Sequence, residues 1–423
     1  MKVGVVTSLP DGDEHKSGIA YYSRTILEPL AGISDELVIF SDAPGETPSS
    51  NVRVVRCWRF GHLAPFQILR ALLRNPVDVL HVEYDVYLYG GVVVAMLLPF
   101  VLGCFRRYRG VEVTTTLHGV VSQSTVTGGM LRQNGFVLPF SAIGRWGFTA
   151  MYRLFDWASD RLIVLEGGRA ETLERDYHVP AKKISVVPLP LMHEHARPEK
   201  SEARRRCGVG GERLVLYFGY ASYYKGLGTL LDAFPAARTD CESLRLKIVA
   251  GRHPRLQGNA RYEAFYARLR ERAGEVGAEF YDFLPESELV ELLAAADVVV
   301  LPYAAAYGAS AALNTAIAAR RPVLVSKRIR FDGALPCQVF EPNASACAEA
   351  ICAFFSQHAA TLNDRTEALA ESRDVTVISH AIHNVRCGRP QVRAIVRSHA
   401  PIAAIRGAVD AGNAVAVPEG ARE

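Results

Sequence analysis

The sequence lacks the features that would tie it to a common cofactor. Its first strand-like run, KVGVVTS, does not lead into G-x-G-x-x-G, so the glycine fingerprint for a dinucleotide pyrophosphate is missing and a nicotinamide dehydrogenase is disfavoured. The eight cysteines, Cys57, Cys104, Cys207, Cys241, Cys337, Cys347, Cys352 and Cys387, form no C-x-x-C pair and no Cys/His group at metal spacing. They read as reduced thiols, not as a disulfide framework. A formal net charge of +4 is small for 423 residues; no nucleic-acid partner is expected, and any anion site must be local. The start, MKVGVVTSLPDGDEHKSG, runs from a brief apolar stretch into Pro10 and a charged cluster, which is not the design of an ordinary signal peptide. No carboxylate pair has a spacing that identifies a glycosidase.

What is present suits large cores. Apolar residues make up 49% and charged residues 22%, and the length suggests two domains of about 200 residues each. One uncharged run, Val86 to Phe105 (VYLYGGVVVAMLLPFVLGCF), could span a bilayer by length. Its paired glycines, its tyrosines, Pro99 and its place between two strand-like runs favour a buried helix under a sheet. The basic Arg106, Arg107 and Arg109 follow, and Phe140 to Phe155 (FSAIGRWGFTAMYRLF) mixes aromatics with arginines. Two readings stand for these: a solvated face, or peripheral contact with an anionic membrane surface.

Along the chain, β-branched runs alternate with helical patterns. MKVGVVTS, ELVIFS, VRVVR, VDVLHVEY, VEVTTTLHG, DRLIVLE and KISVVPLP form one series. After a charged, glycine-bearing linker near 193–212 the rhythm restarts with RLVLYFG, LRLKIVAG, EFYDFL, DVVVLPY and RPVLVS. This is the signature of two doubly wound, Rossmann-like α/β domains with a cleft between them. Boundaries fall at 1–195 and 196–374; in 375–423, SRDVTVISHAIHNVR is expected to form a closing helix before an Ala-, Gly- and Pro-rich tail.

Three places could receive an anion. Gly18 opens an amphipathic helix and would let a ligand approach free amides; a packing glycine is the equal alternative. Lys225, in YFGYASYYKGLGTLLDAF, follows a strand and a turn and stands beside Gly226 where a helix begins, a fit for a phosphate or diphosphate. Gly308 and Ser310 precede another helix, where Ser310 could bind a phosphate oxygen or act as a plain N-cap.

The order SGIAYYSRTILEPL, VDVLHVEY, TTTLHG, DRLIVLEGG with KISVVPLP, LYFGYASYYKGLGTLL, and LPESELVELLAAADVVVLPY followed by RPVLVS resembles glycosyltransferase family four over residues 1 to 385. The resemblance implies a GT-B fold and a retaining, metal-independent transfer from a nucleotide-diphosphate sugar, UDP- or GDP-linked, with no other cofactor. It implies an acceptor-binding first domain and a donor-binding second domain. The acceptor would be a glycan or lipid-linked molecule in cell-surface polysaccharide or glycolipid assembly. The setting would be the cytoplasm, with peripheral contact at the inner membrane surface.

Residue by residue, Lys225 matches the family's donor-phosphate lysine, His118 its histidine beside the donor sugar, and Gly18 its N-terminal loop glycine. Gly219 keeps the strand-end glycine, but Tyr220 stands where many members have an arginine, with Arg252 as a substitute. The family's glutamate pair would fall on Tyr307 and Thr315, neither acidic, which puts the ribose contact in question. Glu83 and Tyr84 are expected at the cleft edge after a strand, touching the acceptor, and Glu166 near the hinge. Loss of the acidic pair leaves a second reading: a non-catalytic relative that binds a nucleotide sugar or a partner transferase.

Overall fold

The β-branched runs become parallel strands in two separate sheets. The computed structural model describes residues 1–10, 18–44, 49–133, 140–191, 198–253, 256–305 and 310–388. The chain divides into a first unit, Met1–Pro190 with Arg373 onward, and a second, Leu191–Ser372.

The first unit holds β1 (Lys2–Val6), β2 (Glu36–Ser41), β3 (Val52–Arg56), β4 (Val79–Tyr84), β5 (Glu112–Leu117), β6 (Arg161–Val164) and β7 (Ile184–Val186). Their order across the sheet is β3-β2-β1-β4-β5-β6-β7, all parallel. The helices between them are α1 (Gly18–Gly32), α2 (Ala64–Arg74), α3 (Val92–Arg109), α4 (Gly128–Gln133), α5 (Ser141–Ala158) and α6 (Gly167–Tyr177). The order reverses between β1 and β4, and at such a switch point the loops at the carboxyl ends diverge and open a ligand crevice. Gly18 follows β1 and Glu83 lies near the end of β4, so both stand at that point.

The second unit repeats the plan with β8 (Arg213–Phe218), β9 (Leu244–Val249), β10 (Glu279–Tyr281), β11 (Val298–Leu301), β12 (Val323–Ser326) and β13 (Val339–Phe340). Here the order is β10-β9-β8-β11-β12-β13, again all parallel. Its helices are α7 (Lys200–Arg206), α8 (Leu227–Asp240), α9 (Ala260–Glu275), α10 (Glu286–Ala295), α11 (Ala311–Ala318), α12 (Ala344–Ala353) and α13 (Ala359–Ser372). Along β8, Leu214, Leu216 and Phe218 join one core cluster while Val215 and Tyr217 join another, so helices cover both faces of the sheet. The switch point lies between β8 and β11, which places Lys225 and Tyr303 on its two loops.

One stretch reads differently in three dimensions, and one follows its expectation of a helix packed in the fold. The charged segment taken as linker contains α7, because Ala203 is buried against the core and Lys200 and Arg204 pair with Asp297 at 2.7 and 3.2 Å. The uncharged run ends in α3, and among the described residues no helix is long and apolar enough to cross a membrane. α3 packs on α5 through Gly103, where a Cβ would overlap the Trp157 ring, and Arg107 lies 4.2 Å over that ring.

The chain then returns to the first unit. α14 (Val375–Arg386), capped by Asp374, buries Ile378, Ile382, Val385 and Arg386 and packs against α1 and β5. Because a methyl at position 103 has no space, Gly103→Ala is expected to destabilise the first unit by about 1–3 kcal/mol or more in urea unfolding.

Candidate active site

In the first unit the site grows from strand periodicity. His81 and Glu83 are two apart on β4 and therefore face the same side, while β5 runs alongside and ends just before His118. The His118 amide donates to the Tyr84 carbonyl at 2.9 Å, extending the ladder by one bond and holding the histidine at the strand end. Glu83 is wholly buried between two imidazoles: its Oε2 lies 2.8 Å from His118 Nε2, and its Oε1 lies 2.8 Å from His81 Nε2. His81 Nε2 also stands 2.9 Å from Thr116 Oγ1, and Tyr22 presents its ring edge to His118 at 4.8 Å between centroids. From α14, Arg386 Nε donates to His81 Nδ1 at 2.7 Å.

Charge in this cluster is set by burial and neighbours together. Burial, reinforced by the Arg386 cation, lowers the His81 pKa to about 4, so the ring is neutral near pH 7. Burial alone would raise Glu83, but the charge interaction with His81 and the hydrogen bonds from His118 and His81 outweigh it, and the carboxylate sits at about 2. Arg386 falls to about 10 through burial, offset by Glu83, and stays cationic. The result is a buried anion that is hydrogen-bonded by His118 at Oε2 and has the edge of the His81 ring close against Oε1.

The second unit offers the opposite charge. The strand β8 ends at Phe218, just before Gly219, and a turn over Tyr223–Lys225 leads into α8. Gly226 has φ +70°, and a Cβ there would stand 1.9 Å from the Pro302 carbonyl oxygen, so glycine alone lets this turn seat against the loop after β11. That loop is tied back in turn: the Ala304 and Ala305 amides donate to the Tyr224 carbonyl at 2.8 and 3.2 Å. Lys225 Nζ lies over the Tyr303 ring at 5.3 Å and against Gly219, where a Cβ would be 2.9 Å away. The Tyr303 hydroxyl reaches Ser310 Oγ at 3.1 Å, and Ser310 caps α11 through the Leu313 amide at 3.2 Å. Burial pushes the Lys225 ammonium below its ordinary range, and no carboxylate stands within ion-pair distance of it among the described residues. A half-buried cation without a counterion, flanked by the starts of α8 and α11, is a receptor for an anion.

Comparison with known proteins agrees with this division. Residues 17–190 match the glycosyl transferase 4-like domain, and residues 212–357 match the glycosyl transferases group 1 model. The chain belongs to the group 1, family-4-like glycosyltransferases. HepE of Anabaena in complex with UDP has a similar structure, with TM-score 0.67 and 14% identity over 92% of this chain and 100% of that one. Sucrose-phosphate synthase from Thermosynechococcus elongatus gives TM-score 0.65 and 17% identity over 92% and 98%. A glycosyltransferase from Rickettsia africae gives 0.61 and 12% over 92% and 98%. The fold is GT-B, and no curated protein matches the chain.

The glycosyltransferase's expected residues fall in several environments. Gly18 is exposed at the first position of α1, and a Cβ there would meet nothing within 4 Å, so packing gives no reason for glycine among the described residues. Tyr220 is exposed with its ring 5.8 Å from His253. Arg252 is already engaged, paired with Glu263 at 3.0 Å and stacked over Tyr266 at 4.2 Å. Thr315 is half-buried one turn into α11, while Gly308 and Tyr307 lie outside the described residues. Glu166 precedes α6 and pairs with Arg169 at 3.2 Å.

Glu83 and Tyr84 correct the expectation of an acceptor contact. They are the last two residues of β4 itself and both are buried, because α3 and α5 cover the Tyr84 side and the His81/His118 cluster covers the other. The Tyr84 hydroxyl is held by the Ala95 carbonyl at 3.1 Å and Met151 Sδ at 3.2 Å, out of reach of a ligand. Glu83 acts on His118 instead. Sequence reasoning missed His81, which the i, i+2 spacing in HVEY could have paired with Glu83, and it missed Arg386, which is 305 residues from His81 and carries no local signal.

In the unfolded chain His81 takes up a proton near pH 6.5, whereas in the fold it does so only near 4. Between these values the unfolded state binds more protons, so stability falls as pH falls through that window, by on the order of 3 kcal/mol. Denaturant titrations at several pH values are expected to show this slope, and His81→Gln is expected to flatten it.

Proposed function

We propose that the chain catalyses retaining, metal-independent transfer of a sugar from a UDP-linked donor to a glycan or lipid-linked acceptor, in the assembly of a cell-surface glycan or glycolipid. The observation that carries this is Lys225: an ammonium without a carboxylate partner among the described residues, placed by Gly219 and Gly226 at the switch point of the second sheet. As the bond from the anomeric carbon to the diphosphate oxygen breaks, the oxygen keeps the electron pair. Lys225 and the starts of α8 and α11 stabilise that charge. The acceptor hydroxyl adds to the same face of the anomeric carbon, and its proton passes to the departing phosphate oxygen. His118, oriented by Glu83, hydrogen bonds a sugar hydroxyl and fixes the reacting face.

UDP is favoured because the structurally similar HepE has been captured with UDP and with UDP-glucose. The exposed Tyr220 and Phe283, with His253 beside Tyr220, lie at the carboxyl ends of β8 to β10 and suit a planar base. With Thr315 where a glutamate would meet the ribose, ribose affinity rests on weaker neutral contacts. A peripheral membrane setting is supported by the first unit's surface. Phe60, Leu63, Phe66, Val93, Phe100, Phe140, Ile143 and Trp146 are all exposed on or beside α2, α3 and α5, among Arg59, Arg107, Arg109 and Arg145. Exposed apolar side chains carried on or beside helices that also bear or adjoin exposed arginines fit an anionic lipid interface.

A thermal-shift and donor-hydrolysis panel of UDP- and GDP-sugars in EDTA tests the reading. A UDP-sugar should stabilise and be slowly hydrolysed by the wild type, and Lys225→Ala should lose roughly 10²- to 10³-fold in turnover together with the shift. Wild-type kinetics in folded Lys225→Ala would remove this lysine from the site. His118→Ala should lower kcat by at least about tenfold while leaving the UDP shift in place. For the membrane setting, co-sedimentation with phosphatidylglycerol vesicles should fall when Phe66 and Trp146 are both changed to Ser; equal binding by that variant would sink it.

A further inference from the structure

Arg386 ends α14 and is wholly buried, and among the described residues its side chain makes one hydrogen bond, from Nε to His81 Nδ1 at 2.7 Å. Its Nη1 and Nη2 have no hydrogen-bond partner among the described residues. A buried guanidinium is costly, and an apolar side chain of similar volume would fill the same space more cheaply. What the arginine supplies that an apolar residue cannot is a donor aimed at one nitrogen of one histidine.

That donor decides a proton position. Arginine can only donate, so His81 Nδ1 must be the accepting nitrogen and the ring proton of the neutral imidazole must sit on Nε2. From there it goes to Thr116 Oγ1 at 2.9 Å, while Glu83 Oε1 lies beside the same nitrogen at 2.8 Å. The other tautomer would set two N–H groups against each other at 2.7 Å and leave the Nε2 lone pair facing a carboxylate oxygen at 2.8 Å. Both contacts are repulsive in a site without solvent.

We propose that Arg386 is a positioning residue for sugar transfer: it locks His81 as the Nε2–H tautomer bonded to Thr116, and the electropositive N–H edge of that ring, against Glu83 Oε1, keeps the carboxylate in the orientation that receives His118. The helix that returns from the far end of the chain is thereby wired to the residue at the reacting sugar. Other groups around the cluster are neutral or already assigned: Tyr22 from α1, kept un-ionised by burial and Glu83, Thr116 from β5, and Cys387 beside Arg386. The inference rests on the reading that His118 orders the donor sugar.

The test joins a spectrum to kinetics. Full-length protein labelled with 15N-histidine, with His81→Asn to assign the signal, reports which His81 nitrogen carries the proton. The expected result is Nε2–H in the wild type. In Arg386→Met that signal should be lost or mixed, with kcat down roughly tenfold to a hundredfold, donor KM within about twofold and the UDP thermal shift unchanged. Arg386→Lys, which keeps one donor, should recover the tautomer and part of the turnover together. An Nδ1–H signal in the wild type overturns the proposal, as does Arg386→Met with wild-type kcat. If Arg386→Met does not fold, Arg386→Lys decides: tautomer and turnover moving together support the proposal, and either one changing alone defeats it. Full turnover in His118→Ala would instead remove the underlying reading of His118 and the catalytic role with it, while the spectrum would still score the tautomer.

Discussion

A carboxylate buried away from solvent must have its charge answered by what surrounds it, and in the first unit this demand organises everything around Glu83. The strand β4 puts Glu83 and His81 on one side, β5 delivers His118 within reach, and α14 brings Arg386 from the other end of the chain. Removing any one member leaves a polar atom without its partner in a medium that penalises it. The cluster therefore acts as a unit. Its one partly exposed end is His118, so its rigidity is passed to the place where a ligand could feel it.

The second unit solves the reverse problem. Lys225 is a cation held half-buried with no carboxylate among the described residues, and its support is indirect: the Tyr303 ring beneath it, and the small surfaces of Gly219 and Gly226 around it. Lys247, by contrast, sits on β9 with Glu279 at 3.1 Å and the Cys207 carbonyl at 2.8 Å, and has no charge left to offer. Of these two lysines, the structure leaves one uncompensated, and it stands where the sheet order reverses. In a glycosyltransferase, the negative charge that would satisfy it belongs to the donor.

On the proposed reading, these two environments would stand in for the acidic pair that the family resemblance expects at Tyr307 and Thr315. Thr315 can offer a hydroxyl but no charge; Ser310 is held by the Tyr303 hydroxyl, and Ala304 and Ala305 are held by the Tyr224 carbonyl. Arg252 is drawn toward Glu263 and Tyr266, so it adds little to the field at Lys225. On the proposed reading, donor capture leans on the lysine and the helix starts, and sugar orientation on the buried Glu83 and His118.

The sequence by itself determined the fold class and the two repeats, because β-branched runs and helical periodicity are local signals that survive without tertiary contacts. It also located Lys225, since a lysine beside glycine at a strand-to-helix turn is a local pattern. Only the tertiary structure decided that Glu83 and Tyr84 are interior, because burial of a strand end depends on what packs over it, and α5 and α14, which reach Tyr84 and the Glu83 cluster, lie far along the chain. It alone turned a charged linker into α7, through Asp297. It alone joined Arg386 to His81 across 305 residues, a pairing made by packing a returning helix and invisible to any window of sequence.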